Sequence, residues 1–186
     1  MYFETIKCED FEVFNLEYHQ KRVIKTIAKD LNLQEYISPI SSELLRCKLI
    51  YNKDEILSVE YFPYIKRDIK SFKILFDDKI EYSKKYLNRE DLDRLFLQKD
   101  ACDEVIIVKQ GVVTDTSIAN IAIFYDDVWI TSKDCLLQGT TRARLIKDGF
   151  LKEQNISLEM LKNAEKLALM NVMIGFDEIR DYSFNL

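Results

Sequence analysis

Residues 104–124 read E-V-I-I-V-K-Q-G-V-V-T-D-T-S-I-A-N-I-A-I-F. The β-rich run Glu104 to Lys109 turns at Gly111, Val112 and Val113 lead into T-D-T-S, and a strand follows from Ile118 to Phe124. Short apolar runs bounded by Gly, Asp and Ser are the pattern of strands joined by tight turns. Towards the C-terminus, Val128 to Thr131 reads as a strand, and L-L-Q-G-T-T-R opens a helix from Thr140 to Asp148. Ser157 reads as an N-cap for a helix over Leu158 to Lys162, because its hydroxyl can accept from a free N–H of the first turn. Strands follow at Leu167 to Ile174 and Glu178 to Tyr182.

Working back towards the N-terminus, Arg89 to Leu97 reads as a helix, Lys84-Lys85 as a turn-like link and Ser71 to Phe76 as a strand. The charged stretch Tyr64 to Lys70 marks a boundary, giving a small N-terminal α/β lobe over residues 1–68 and a C-terminal lobe over residues 69–186. The first lobe opens with strands Tyr2 to Cys8 and Phe11 to Asn15. A helix is expected from Leu16 to Leu33, with Val23, Ile27 and Leu31 spaced four apart. Leu44 to Tyr51 and Ile56 to Phe62 form a hairpin across N-K-D-E, which Pro63 ends because it cannot donate to a ladder. Helices interrupt the strands irregularly, so the expected class is α+β and not strict βαβ alternation.

Bulk composition narrows the function. The chain has 186 residues, 47% of them hydrophobic, and a net charge of -5, with 27 Lys and Arg interspersed among 32 Asp and Glu. A nucleic-acid binder needs a concentrated basic face, so that class is set aside. A single His and scattered Cys8, Cys47, Cys102 and Cys135 offer no metal-ligand spacing and no disulfide framework. They fit a reduced, cytoplasmic setting. With neither an export signal nor an apolar run long enough to span a bilayer, no membrane role is expected.

Four places carry chemistry, and each has an ordinary reading beside the functional one. Lys85 is either a solvated lysine or a partly desolvated amine able to attack a carbonyl. Asp115 is either a turn-forming Asx residue or an acid for a protonated ring nitrogen. Gly139-Thr140-Thr141-Arg142 is either an ordinary helix start or an anion site made of free N–H groups. His19 and Arg22, three apart on one helix face, are either solvated or a phosphate grip. Arg46 and Lys48 alternate onto one strand face, as a carboxylate site or as solvated cations. An amine, an acid and a helix start in this order are the parts that hold pyridoxal phosphate.

Longer segments reinforce one another. F-E-T-I-K with F-N-L-E-Y-H-Q-K-R, Y-S-K-K-Y-L-N-R, D-E-V-I-I-V-K-Q-G-V-V-T-D-T-S-I-A-N-I and L-L-Q-G-T-T-R-A-R-L-I together resemble the class IV aminotransferase family. That resemblance implies the two-lobed PLP fold type IV, like D-amino acid aminotransferase and truncated at the N-terminus. It makes Lys85, followed by Asn88 and Arg89, the Schiff-base lysine. It assigns Arg22, Thr140 and Thr141 to the phosphate, Leu137 to the pyridine ring, and Asp115 to the place where the family carries glutamate. It implies pyridoxal 5'-phosphate, a small-molecule substrate and a homodimer. The K-Y-L-N-R segment is most similar to 4-amino-4-deoxychorismate lyases of folate synthesis. A branched-chain or D-amino acid transaminase, or a catalytically silent PLP-binding protein, is the alternative.

Overall fold

The computed structural model describes residues 1–186, which divide into two compact units. The first holds Met1–Lys66 and Lys84–Asn88, the second Arg67–Ser83 and Arg89–Leu186.

In the first unit, β1 (Tyr2–Glu9), β2 (Glu12–Val13), α1 (Leu16–Ile27), β3 (Leu45–Tyr51) and β4 (Ile56–Pro63) follow one another, and the strands form an antiparallel sheet in the order β2-β1-β3-β4. Asp10 and Phe11 both take positive φ between β1 and β2, the backbone that suits the twist of a tight hairpin. Alternation sends Glu4, Ile6 and Cys8 of β1 inward, where Ile6 and Cys8 join Val23, Leu33, Cys47, Leu49 and Tyr51 in the core. The expected helix over Leu16 to Leu33 stops at Ile27. Ala28 turns left-handed and donates its N–H to the Ile24 carbonyl, and Asp30 then accepts from the Asn32 N–H. Leu31 is buried all the same, by the loop and not by a further helical turn.

In the second unit come β5 (Ser71–Phe76), α2 (Glu90–Phe96), β6 (Glu104–Lys109), β7 (Val112–Thr116), β8 (Asn120–Tyr125), β9 (Val128–Thr131) and α3 (Thr140–Lys147), then β10 (Lys152–Glu153), β11 (Ile156–Ser157), α4 (Leu158–Asn163), β12 (Lys166–Asn171), β13 (Gly175–Ile179) and β14 (Ser183–Asn185). The main path of its 10-stranded sheet is β10-β9-β8-β7-β6-β5-β14, with β12 on β8 and β13, and β11 on β7. Antiparallel pairs dominate, but β5 runs parallel to both β6 and β14, so the class is mixed as expected. Gln110 and Gly111, both at positive φ, make the β6–β7 turn, and a Cβ would be strained at Gly111. Phe72, Ile106, Val113, Ile121, Ile123, Ile156 and Leu167 fill the core. Ser157 caps α4, its hydroxyl accepting from the Met160 N–H at 3.1 Å. No helix is long and apolar enough to cross a membrane.

Candidate active site

Strand β7 was not expected, and it carries Asp115. Asp115 is 4% exposed, with both carboxyl oxygens engaged. Asn120 Nδ2 donates to Oδ1 at 2.6 Å, and the Leu137 N–H donates to Oδ2 at 2.9 Å. The same Asn120 amide donates to the Leu137 carbonyl at 2.7 Å, so one side chain ties β8 to the loop before α3. Burial pushes the Asp115 carboxyl up to about 6, against the downward pull of the Leu137 N–H, Asn120 and Arg142. A carboxylate offers about four acceptor sites, so capacity for a further bond remains. This is an acid poised near neutrality, and a cation placed against it would hold it ionised.

Helix α3 opens at Gly139 with no side-chain cap, and Ala143 N–H to Gly139 O, at 2.9 Å, closes its first turn. The N–H groups of Thr140, Thr141 and Arg142 precede that bond, so the turn presents donors and the positive end of the helix dipole. Both threonines are buried. A Cβ on Gly139 would lie 2.1 Å from Asn120 Oδ1, so glycine is what permits this approach. Arg142 is buried and committed elsewhere, its Nη2 donating to the Ser132 carbonyl at 2.9 Å and to Glu153 at 2.6 Å.

The first unit holds the other candidates. Lys84 donates to the Thr26 carbonyl at 2.9 Å. Lys85 instead places Nζ 4.6 Å from the centre of the Phe3 ring, and its carbonyl accepts from the Phe3 N–H at 3.0 Å. The two adjacent lysines are therefore not equivalent. Arg22 meets Glu4 side-on: Nε donates to Oε1 at 2.9 Å and Nη2 to Oε2. His19 Nδ1 donates to the same Oε2 at 2.6 Å, and a carboxylate, which only accepts, fixes that tautomer. Burial alone would raise the Glu4 carboxyl, but Arg22 and His19 overcome it and hold it at about 2. Burial lowers His19 against the opposing pull of Glu4, so the ring is neutral at pH 7.

A family model described as amino-transferase class IV matches residues 80–182, and an uncharacterised protein of Haemophilus influenzae is 34% identical over 184 residues, 93% of this chain and 97% of its own. The chain belongs to the class IV aminotransferase family. It is an enzyme of that family. A crystal structure from Haemophilus somnus 129pt, provisionally named a 4-amino-4-deoxychorismate lyase, is 34% identical with a TM-score of 0.81, covering 94% of this chain and 96% of that one. A hypothetical aminotransferase from Mycobacterium tuberculosis, solved in a PLP-bound form, shares the fold at 15% identity and a TM-score of 0.81, covering 99% of this chain and 81% of that one.

Within this family member, the first turn of α3 and the Asp115–Leu137 contact belong to one unit, and Lys85 and Arg22 to the other. Sequence reading missed Asn120 and Glu4. Asn120 ends the stretch T-D-T-S-I-A-N, five residues after the acid, with nothing local to mark its partners. Glu4 carried a signal that was available: a carboxylate in register with Ile6 and Cys8 on the inward face of a strand demands a buried cation.

Proposed function

We propose that this enzyme uses pyridoxal 5'-phosphate to convert 4-amino-4-deoxychorismate into 4-aminobenzoate and pyruvate, a step of folate synthesis. The observation that carries the reading is the 34% identity, over nearly the whole chain, to the Haemophilus somnus protein provisionally named for that activity. The residues suit the cofactor. A buried, raised carboxyl at Asp115 is the partner a protonated ring nitrogen needs, and the uncapped start of α3 is the partner a phosphate needs. Lys85 would be the catalytic lysine, Leu137 would pack on the ring, and Arg22 with the Thr140 and Thr141 N–H groups would take the phosphate. The chemistry the cofactor supplies when bound is a carbonyl for amines and an electron-withdrawing ring.

The chain's own residues then have distinct tasks. The Lys85 amine takes the proton from the substrate carbon that bears the amino group. The C–O bond to the enolpyruvyl group breaks as the substrate ring becomes aromatic. Protonated Lys85 is the acid at hand for the departing group, which leaves as pyruvate. Asp115, clamped by Asn120 and Leu137, would hold negative charge for a protonated ring nitrogen. Four free cysteines suit the cytoplasmic setting proposed with this reaction.

The test is pyruvate release from 4-amino-4-deoxychorismate without an added keto acid. Lys85→Ala is expected to abolish it and Lys84→Ala to retain it. Borohydride reduction followed by peptide mapping should place the pyridoxyl group on Lys85, and a group on Lys84 would overturn the assignment. Amino-group exchange with 2-oxoglutarate, without pyruvate release, would replace the lyase by a transaminase. Inactivity in both assays with the cofactor bound would leave a silent binder.

A further inference from the structure

A buried carboxylate that gathers two partners across the sequence is hard to explain by stability alone. Glu4 is 0% exposed, and its contacts reach 15 residues along to His19 and 18 to Arg22. Replacing a buried ion pair with apolar side chains of similar volume is commonly neutral or stabilising, so such a pair points to a geometric task. The geometry here is specific. Glu4 engages Nε and Nη2, which together form one edge of the planar guanidinium. Those contacts leave the Nη1 side unused. The Arg22 side chain keeps 13% exposure, whereas Glu4 has none, so the pair is accessible from the arginine's side only. His19 braces the shared oxygen from the neighbouring helical turn, and its neutral state keeps a second positive charge away from Glu4.

We propose that Glu4 is a positioning residue: it locks the Arg22 guanidinium in one plane so that the free Nη1 edge presents to the phosphate of the cofactor. This rests on the reading of Arg22 as a phosphate ligand given above. A lysine or an untethered arginine would have to be ordered on binding, whereas a guanidinium already held by a carboxylate fork has lost that freedom during folding. There is an opposing effect. Glu4 also cancels most of the arginine's charge, and removing it would strengthen the bare attraction for an anion. Alignment outweighs charge.

The two effects predict opposite signs, so one comparison separates them. Cofactor-free protein is titrated with pyridoxal phosphate and, in parallel, with pyridoxal, which lacks the phosphate, and binding is followed by near-visible absorbance. The readout is the ratio of the two affinities, which a general loss of structure would not change selectively. Glu4→Gln keeps the shape and one acceptor but removes the charge. It is expected to lower the ratio by about tenfold, the weaker end of what a hydrogen bond to a charged group contributes. Glu4→Asp keeps the charge but withdraws it by one methylene. It should lower the ratio too, and it serves as the test if Glu4→Gln does not fold. An unchanged or increased ratio in a folded Glu4 variant overturns the proposal. Arg22→Ala separates the two levels of the argument. If it lowers the ratio and the Glu4 variants do not, only the role of Glu4 fails. If it leaves the ratio unchanged, the phosphate reading of Arg22 fails and the proposal with it.

Discussion

Two buried carboxyls, Asp115 and Glu4, are pushed in opposite directions for one physical reason. Both are desolvated. Glu4 has a cation against it and Asp115 has only N–H dipoles and a more distant arginine. Their contributions to stability therefore run oppositely with pH. Asp115 rises from an ordinary 3.8 to about 6, so the folded state binds its proton more tightly than the unfolded chain does. Its contribution is fully present below pH 3.8 and is lost as pH rises through about 6. At roughly 1.4 kcal/mol per pH unit, the loss is on the order of 3 kcal/mol. Glu4 falls from 4.5 to about 2, so its contribution is present above pH 4.5 and is lost as pH falls through about 2. The expected outcome is that Asp115→Asn removes a decline in cofactor-free stability between about pH 4 and pH 6, whatever it does to the overall level. Urea unfolding across that range checks it, and identical slopes for wild type and variant would sink the idea. The acid itself could be read from T-D-T-S. Its clamp could not, because Leu137 lies 22 residues away and donates through its backbone, which carries no side-chain signature.

Elements were legible where burial is apolar and obscure where it is polar. The edges of β5, β6 and β9 fall where short apolar runs placed them. Strand β7 escaped because V-V-T-D-T turns polar halfway, although Val113 to Thr116 are all buried. Hydrogen bonds replace greasy surface there. Thr114 Oγ1 donates to the Ile107 carbonyl at 2.9 Å, and Thr116 Oγ1 accepts from the Ala119 N–H, also at 2.9 Å. Hydrophobic periodicity cannot register a satisfied polar strand. The start of α3 was legible from its glycine, but the reason for that glycine is packing against β8. Gly139→Ala forces a methyl within 2.1 Å of Asn120 Oδ1, so either the loop or the Asn120 clamp must move. An overpacking penalty of about 1–3 kcal/mol is expected. Cofactor affinity should fall with it, by on the order of tenfold, since Leu137 and the first turn of α3 shift together. Thermal unfolding of the cofactor-free protein and a pyridoxal phosphate titration test the two effects separately. No change in either would show that the loop tolerates displacement from Asn120.

At the scale of the whole chain, the remaining question is what covers its exposed apolar surface. Strand β4 pairs only with β3, so its outer edge carries unpaired backbone groups along 8 residues. A long open edge of this kind is normally blunted by charge, by a bulge or by a cover, and Glu60, Pro63 and a register shift against Ile50 and Tyr51 of β3 blunt this one only in part. Here Leu57 is 45% exposed, Phe62 is 37% exposed, and Ile65 just beyond the strand is 87% exposed. Single exposed apolar residues need no explanation, but Leu57 and Phe62 of this edge strand, together with Ile65 just past it, leave apolar surface beside the open edge. The resemblance that implies the fold also implies a homodimer, and exposed Phe62 is of a residue type enriched at interface cores. We propose a homodimer that buries the β4 edge. Sedimentation equilibrium at micromolar concentration is expected to give twice the 22.0 kDa chain mass. Leu57→Glu places a charge in the buried patch, where an unpaired carboxylate is strongly disfavoured, and is expected to shift the equilibrium to the monomer without unfolding it. A wild-type protein that sediments only as the 22.0 kDa species overturns the dimer. A dimer that Leu57→Glu leaves intact moves the interface elsewhere, because the charge would then have remained in water at no cost to association.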